Sequence, residues 1–158
     1  MPDVALDATD ARLLLALAAD PRASVMALSQ RLGLARNTVQ ARLTRLEQGG
    51  ALAPFDRRVR PEALGYRLTA YVTVQVAQRS LAEVSSGLEK IPEVLEVIGL
   101  SGVADLLVRV AARDADDLWR ITEQVLAIEG VQRIDTALAL RRFVDARITP
   151  LLERATGA

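Results

Sequence analysis

Apolar positions recur with a helical period three times near the start of the chain. Leu13, Leu14 and Leu17 mark the buried side of a first helix, opened by Leu-Asp-Ala-Thr-Asp (6–10) and ended by Asp20-Pro21. Asp7 is placed to cap that helix, and Asp10, three residues on, meets the positive end of its dipole. Val25, Leu28 and Leu32 form a second stripe, and Val39, Leu43 and Leu46 a third. Gly33 supplies the sharp stop between them, with Leu34 plugging the gap beneath. With Val39, Leu43 and Leu46 inward, helical geometry turns Asn37, Thr38, Gln40, Ala41, Thr44 and Arg45 outward, with Arg36 and Arg42 on the flanks. The spacing predicts a helix-turn-helix, and it fits a helical hairpin with a solvated charged face equally well. Gly49-Gly50 stops the third helix, a short extended segment follows over 51–59, and Pro61-Glu-Ala-Leu-Gly65 reads as one closing helical turn.

The second half repeats itself. Leu81, Val84, Leu88, Ile91, Val94 and Val97 recur 37 residues later as Leu118, Ile121, Val125, Ile128, Val131 and Ile134. Each copy is a helix followed by a strand, and each is preceded by an alternating strand: Leu68, Ala70, Val72, Val74 and Val76, then Leu106, Val108 and Val110. The order β-α-β-β-α-β predicts a ferredoxin-like domain of four antiparallel strands with both helices on one face. Ser101-Gly102 marks the turn between the central strands. The bare face needs a cover, and a second copy of the chain is the expected one. Ile148-Thr-Pro-Leu-Leu152 is expected to add an edge strand or reach across to that partner. The fold class is therefore α+β, with domains at 1–60 and 61–158.

The net charge of zero conceals a regional imbalance. Between Arg22 and Arg60 stand eight arginines (22, 31, 36, 42, 45, 57, 58 and 60) against Glu47 and Asp56, whereas residues 1–21 carry Arg12 against four aspartates. Such a patch attracts phosphates, and arginine suits bidentate contact with phosphate or guanine. Arg57, Arg58 and Arg60 either reach a phosphate backbone as a small wing or are simply solvated. Half of the 158 residues are apolar, with only five aromatics, so the cores are built from Leu, Val, Ile and Ala. With no Cys and no His, thiolate sites, cysteine nucleophiles and the usual general base are excluded. No cofactor or metal is expected. Asp114, Asp116 and Asp117 read as a helix cap and its dipole partners rather than as metal ligands. The longest uncharged run is too short to span a bilayer and no basic leader precedes an apolar stretch, so a cytoplasmic protein without membrane contact is expected.

Taken together, these motifs resemble the Lrp/AsnC (feast/famine) family of transcription regulators over roughly Leu6 to Leu152. They are Leu-Asp-x-x-Asp (6–10), Arg22-x-Ser24, Gly33-Leu34 and Val39-x-x-Arg42-Leu-x-Arg45-Leu-Glu-x-x-Gly50. Pro61-x-x-Leu64-Gly65, Pro92-x-Val94, Gly102-x-x-Asp105 and Gly130-Val131 with Thr136 follow in order. The resemblance implies a winged helix-turn-helix and a C-terminal effector-binding domain. It also implies dimers that assemble into octamers, and an amino acid or similar metabolite held between dimers. Carried over, the effector site comprises Leu100, Ser101, Gly102, Val103, Ala104, Asp105 and Thr136. An ordinary hairpin turn accounts for Gly102 and Asp105 as well. Three departures stand out: Ala35 where relatives often carry a capping Ser, small apolar residues in the turn, and Ile134 where Thr is common. Asn37 or Thr38 is expected to replace the missing cap.

The reading is a regulator of double-stranded DNA, not an enzyme. Asn37, Thr38, Gln40, Ala41, Thr44 and Arg45 face base edges, while Arg36, Arg42, Arg57 and Arg58 hold phosphates. Arg42→Ala and Arg45→Ala are expected to weaken DNA binding without unfolding the protein. A free-standing metabolite-sensing module is the alternative. A siroheme decarboxylase-like enzyme shares the fold but depends on histidine, which this chain lacks.

Overall fold

The computed structural model describes residues 5–52, 59–77 and 79–157. The chain forms two compact units, Met1–Arg57 with Val144–Ala158, and Arg58–Phe143.

In the first unit, α1 (Ala8–Ala19) begins with a reciprocal capping box. The Asp10 amide donates to Asp7 Oδ1 at 2.7 Å and the Asp7 amide donates to Asp10 Oδ2 at 3.1 Å. α2 (Val25–Leu32) is capped by Ser24, whose hydroxyl accepts from the Ala27 amide. It ends at Gly33, where φ is +66°. Leu34 follows as expected: its amide donates to the Ser29 carbonyl, Ser29 Oγ donates back to the Leu34 carbonyl, and its side chain packs at the core edge. α3 (Arg36–Gln48) starts at Ala35 with no side-chain cap bond, so neither Asn37 nor Thr38 replaces the missing hydroxyl. Leu13, Leu14, Leu28, Val39 and Leu46 form the core, with Leu43 half-buried. Burying each large aliphatic side chain contributes about 1.5–3 kcal/mol against the entropy of ordering it.

The end of the chain departs from expectation. Residues Thr149–Ala155 form a helix, α6, with Pro150 in its first turn, and Leu152 is buried against the α1 cluster. The segment expected as an edge strand or as an arm to a partner thus completes the helical unit, and residues from Val144 onward group with it rather than with the second domain. A seven-residue helix is marginal alone; burial of Leu152 is what holds it.

The second unit opens with a 3-10 turn at Pro61–Leu64. Then follow β1 (Leu68–Val76), α4 (Leu81–Glu89), β2 (Val94–Gly99), β3 (Leu106–Ala112), α5 (Ala115–Leu126) and β4 (Val131–Leu138). The strands are antiparallel in the order β2-β3-β1-β4. The turn at Ser101-Gly102 therefore joins edge strand β2 to central strand β3, not two central strands. Val72, Val74, Val108 and Val110 meet Val84, Leu88, Ile121 and Val125 in a dry core. The repeat shows one asymmetry: Leu118 packs on this core, but its counterpart Leu81 is half exposed. Strand alternation leaves Tyr71, Thr73, Leu107, Arg109, Glu96 and Ile98 on the opposite sheet face, none of them fully buried.

Candidate functional site

The outward face of α3 is built by its own periodicity. Val39 and Leu46 bury the inner side, so Asn37, Thr38, Gln40 and Ala41 are exposed, Thr44 is half-buried, and Gln40 Nε2 lies 3.5 Å from Thr44 Oγ1. Asp7, Asn37, Thr38, Ala41, Arg42 and Arg45 line an open groove of about 550 Å³. Arg36 is exposed at the start of the helix and has no ion pair among the described residues.

Arg42 and Arg45 are tied to the start of α1. Arg42 Nη1 donates to Asp7 Oδ2 and to Asp10 Oδ1, each at 2.7 Å, and Arg45 Nη2 pairs with Asp10 Oδ2. The Asp10 side chain is fully buried, whereas that of Asp7 is 53 % exposed. Burial pushes the Asp10 carboxyl up, but hydrogen bonds from Arg45, the Asp7 amide and Arg42 outweigh it and hold the group at about 2. Hydrogen bonds from Arg42 and then the Asp10 amide hold Asp7 below its ordinary value. The same contacts, with Asp7 first and Asp10 second, raise Arg42. Four charges thus cancel locally, and the acidic start of the chain folds against the basic patch. Counting arginines along the sequence overstates the positive charge that this face offers.

The buried pairing also alters the expectation for Arg42→Ala and Arg45→Ala. Each substitution strips a partner from a carboxylate with no access to water, so stability changes along with any surface contact. Asp7 and Asp10 escaped the sequence reading as members of this face. The available signal was two carboxylates three residues apart, opening a helix beside an arginine-rich one. Arg57 and Arg58, with most of the expected wing, lie outside the described residues.

The second candidate is the turn from Leu100 to Asp105. Its frame is largely main chain: the Leu100 amide donates to the Asp105 carbonyl at 2.8 Å, and the Asp105 amide to the Val74 carbonyl at 3.0 Å. Asp105 Oδ2 accepts from the Val76 amide at 2.8 Å, and Gln75 Nε2 donates to the Val103 carbonyl at 3.0 Å. Gly102 has φ +136°, a conformation that side chains resist. Ser101, Gly102 and Val103 are exposed, and Ala104 is half-buried. Thr136 is not brought beside them: it stands on β4 opposite Val72, with β1 between it and β3.

Two of the three aspartates before and within α5 are engaged locally, and Asp116 is exposed. Asp114 caps the helix through the Asp117 amide, while Asp117 accepts from the Arg113 amide and pairs with Arg120. Among the described residues no helix is long and apolar enough to cross a membrane.

Comparison with known proteins matches the AsnC-type helix-turn-helix domain to residues 6–47 and the Lrp/AsnC ligand binding domain to residues 69–149. The HTH-type transcriptional regulator FL11 of Pyrococcus furiosus is 32% identical over 146 residues, 92% of this chain and 97% of that protein. AldR of Mycolicibacterium smegmatis, another HTH-type transcriptional regulator, is 34% identical over 145 residues, covering 89% and 85% respectively. Among solved structures, a feast or famine regulatory protein from M. tuberculosis in complex with L-methionine superposes with a TM-score of 0.81. It is 31% identical, over 91% of this chain and 98% of that one. E. coli AsnC, at 22% identity over 93% of this chain and all of its own, shares the fold with a TM-score of 0.84.

Proposed function

We propose, from the premise that this chain belongs to the Lrp/AsnC family of transcriptional regulators, that it reads a specific duplex through α3 and responds to an amino acid. It is a regulator with a helix-turn-helix and a ligand-binding domain, not an enzyme. The observation that carries the finer reading is the exposed row Asn37, Thr38, Gln40 and Ala41, lining or flanking an open groove on a helix whose opposite side buries Val39 and Leu46. Asn and Gln suit adenine edges, and Thr and Ala suit a thymine methyl group. Thr44 and Arg45 extend the row, while Arg36, Arg57 and Arg58 are the phosphate contacts of this reading; Arg42, also expected as one, reaches a phosphate only by giving up a carboxylate bond.

The effector is an amino acid at the Leu100–Asp105 turn, with Thr136 contributed from elsewhere in the assembly. Exposed amides around Gly102 suit a carboxylate, and Asp105 suits an α-ammonium. L-methionine, bound in the relative from M. tuberculosis, is the first probe. The uncovered sheet face carries Tyr71, Leu107 and Ile98, which supports pairing with a second copy, and pairs of dimers then build the octamer. A soluble protein of the cytoplasm fits this role.

The test is titration of a duplex selected by the protein from a random pool, followed by fluorescence anisotropy. Asn37→Ala and Thr38→Ala each lower affinity by about 1–3 kcal/mol, with unchanged thermal unfolding because both side chains are exposed. Parent-like binding by both variants overturns the assignment of α3. A thermal-shift series with L-methionine and the other amino acids tests the effector arm, since a ligand of the folded state raises Tm.

A further inference from the structure

We propose that Asp7 limits the sequence-independent attraction of this protein for DNA by leashing Arg42, and so sharpens its specificity. The inference rests on the DNA-binding reading of α3. Its starting point is the asymmetry between the two carboxylates that share Arg42. Asp10 is fully buried, caps α1 and pairs with Arg45 as well, so it belongs to the packing of the unit. Asp7 is half exposed and lines the same groove as Asn37, Thr38 and Ala41. As a helix cap it needs only a side-chain oxygen for the Asp10 amide, which an uncharged Asn or Ser supplies equally well. Its negative charge is surplus to that task and falls on Arg42, only 26 % exposed, 2.7 Å away.

A guanidinium held in this way is a poor phosphate ligand, because the phosphate must displace a carboxylate that is already bonded. Contacts to phosphate carry no sequence information and supply nearly all of the binding to non-cognate duplexes. In a non-cognate complex the protein is free to shift until loose arginines find phosphates, and the leash withdraws one of them. In a cognate complex the register of α3 is fixed by base contacts, so the same loss matters less. Arg36, exposed and without an ion pair among the described residues, remains as an anchor on the same helix.

The experiment compares the parent with Asp7→Asn and Asp7→Ser on two duplexes, one of mixed sequence and one selected by the parent from a random pool. Affinity is measured between 50 and 200 mM KCl. Releasing one phosphate contact steepens the slope of log K against log salt by about 0.9, an extra loss of about three- to fourfold over that range. Both variants are expected to show that slope on the mixed duplex, with higher affinity at low salt and a smaller ratio between the two duplexes. Asp7→Asn combined with Arg42→Gln returns the slope to that of the parent. A parent-like slope in both single variants overturns the proposal, as does a steep slope that persists in the double variant. A parent that binds neither duplex in a salt-dependent way overturns the reading of α3 and this proposal together.

Discussion

Charged side chains fix the outward face of α3, whereas main-chain hydrogen bonds fix the turn from Leu100 to Asp105. On α3, Asp7 and Asp10 bridge from another helix to Arg42 and Arg45, and one of those carboxylates is sealed from water. At the turn, amides of Leu100, Asp105 and Val76 are satisfied by carbonyls and a single carboxylate oxygen, while Val103 is 89 % exposed. The first arrangement sets the position of side chains before any partner arrives. The second is set by main-chain groups, and the side chains of Ser101 and Val103 are exposed beside it. Damage to the two therefore differs in kind: a change on α3 propagates into the core, and a change at the turn stays local.

The sharpest way to break this contrast is to remove both guanidinium groups. Arg42→Ala with Arg45→Ala leaves Asp10 buried without a cation, and urea unfolding is expected to show a loss of about 3–5 kcal/mol. Ser101→Ala, on the exposed turn, is expected to shift stability by less than about 0.5 kcal/mol. A double variant on α3 as stable as the parent would show that Asp10 is solvated or neutral, and the contrast would fail.

The elements that were legible in the sequence were those specified by local period. The repeat at 37 residues placed both helices and the strand after each, and period-two alternation placed the other two strands, because each apolar position answers to its neighbours in the same element. Asp7, Gly33 and Asp114 were legible for the same reason, since a cap is satisfied within its own turn. The illegible parts depend on residues far apart in the chain. Asp10 read as a dipole partner, but its pairing with Arg42 and Arg45 lies 32 and 35 residues downstream. Helix α6 was missed because seven residues with a proline in their first turn carry too short a period, and Leu152 owes its burial to α1. At the turn, the backbone geometry of Gly102 was legible, but the bond from the Val76 amide to Asp105 was not, because nothing in the spacing specifies it.

Acid separates the two regions less severely. Asp10 is held at about 2 in the folded protein against 3.8 ordinarily, so its contribution is fully present above about pH 4 and is lost as pH falls through 2. The shift corresponds to on the order of 2 kcal/mol. Amide hydrogen exchange read on α1 and α3 is expected to accelerate over that window before exchange in β1 and β3 does. Equal acceleration in both units would remove Asp10 as the cause.

The smallest expected effect sharpens the comparison from the side of the turn. Asp105→Ala deprives the Val76 amide of its acceptor, but the site is exposed and water substitutes, so the loss is about 1 kcal/mol. Asp105→Asn keeps an oxygen for that amide and is expected to match the parent within about 0.5 kcal/mol. The two variants thereby part structure from recognition. If Asp105 holds an α-ammonium, Asn preserves the fold of the turn and still abolishes the rise in Tm with L-methionine, because the charge is gone while the frame is intact. If the rise survives in Asn and is lost only in Ala, Asp105 serves the turn alone and the ammonium is held by other groups.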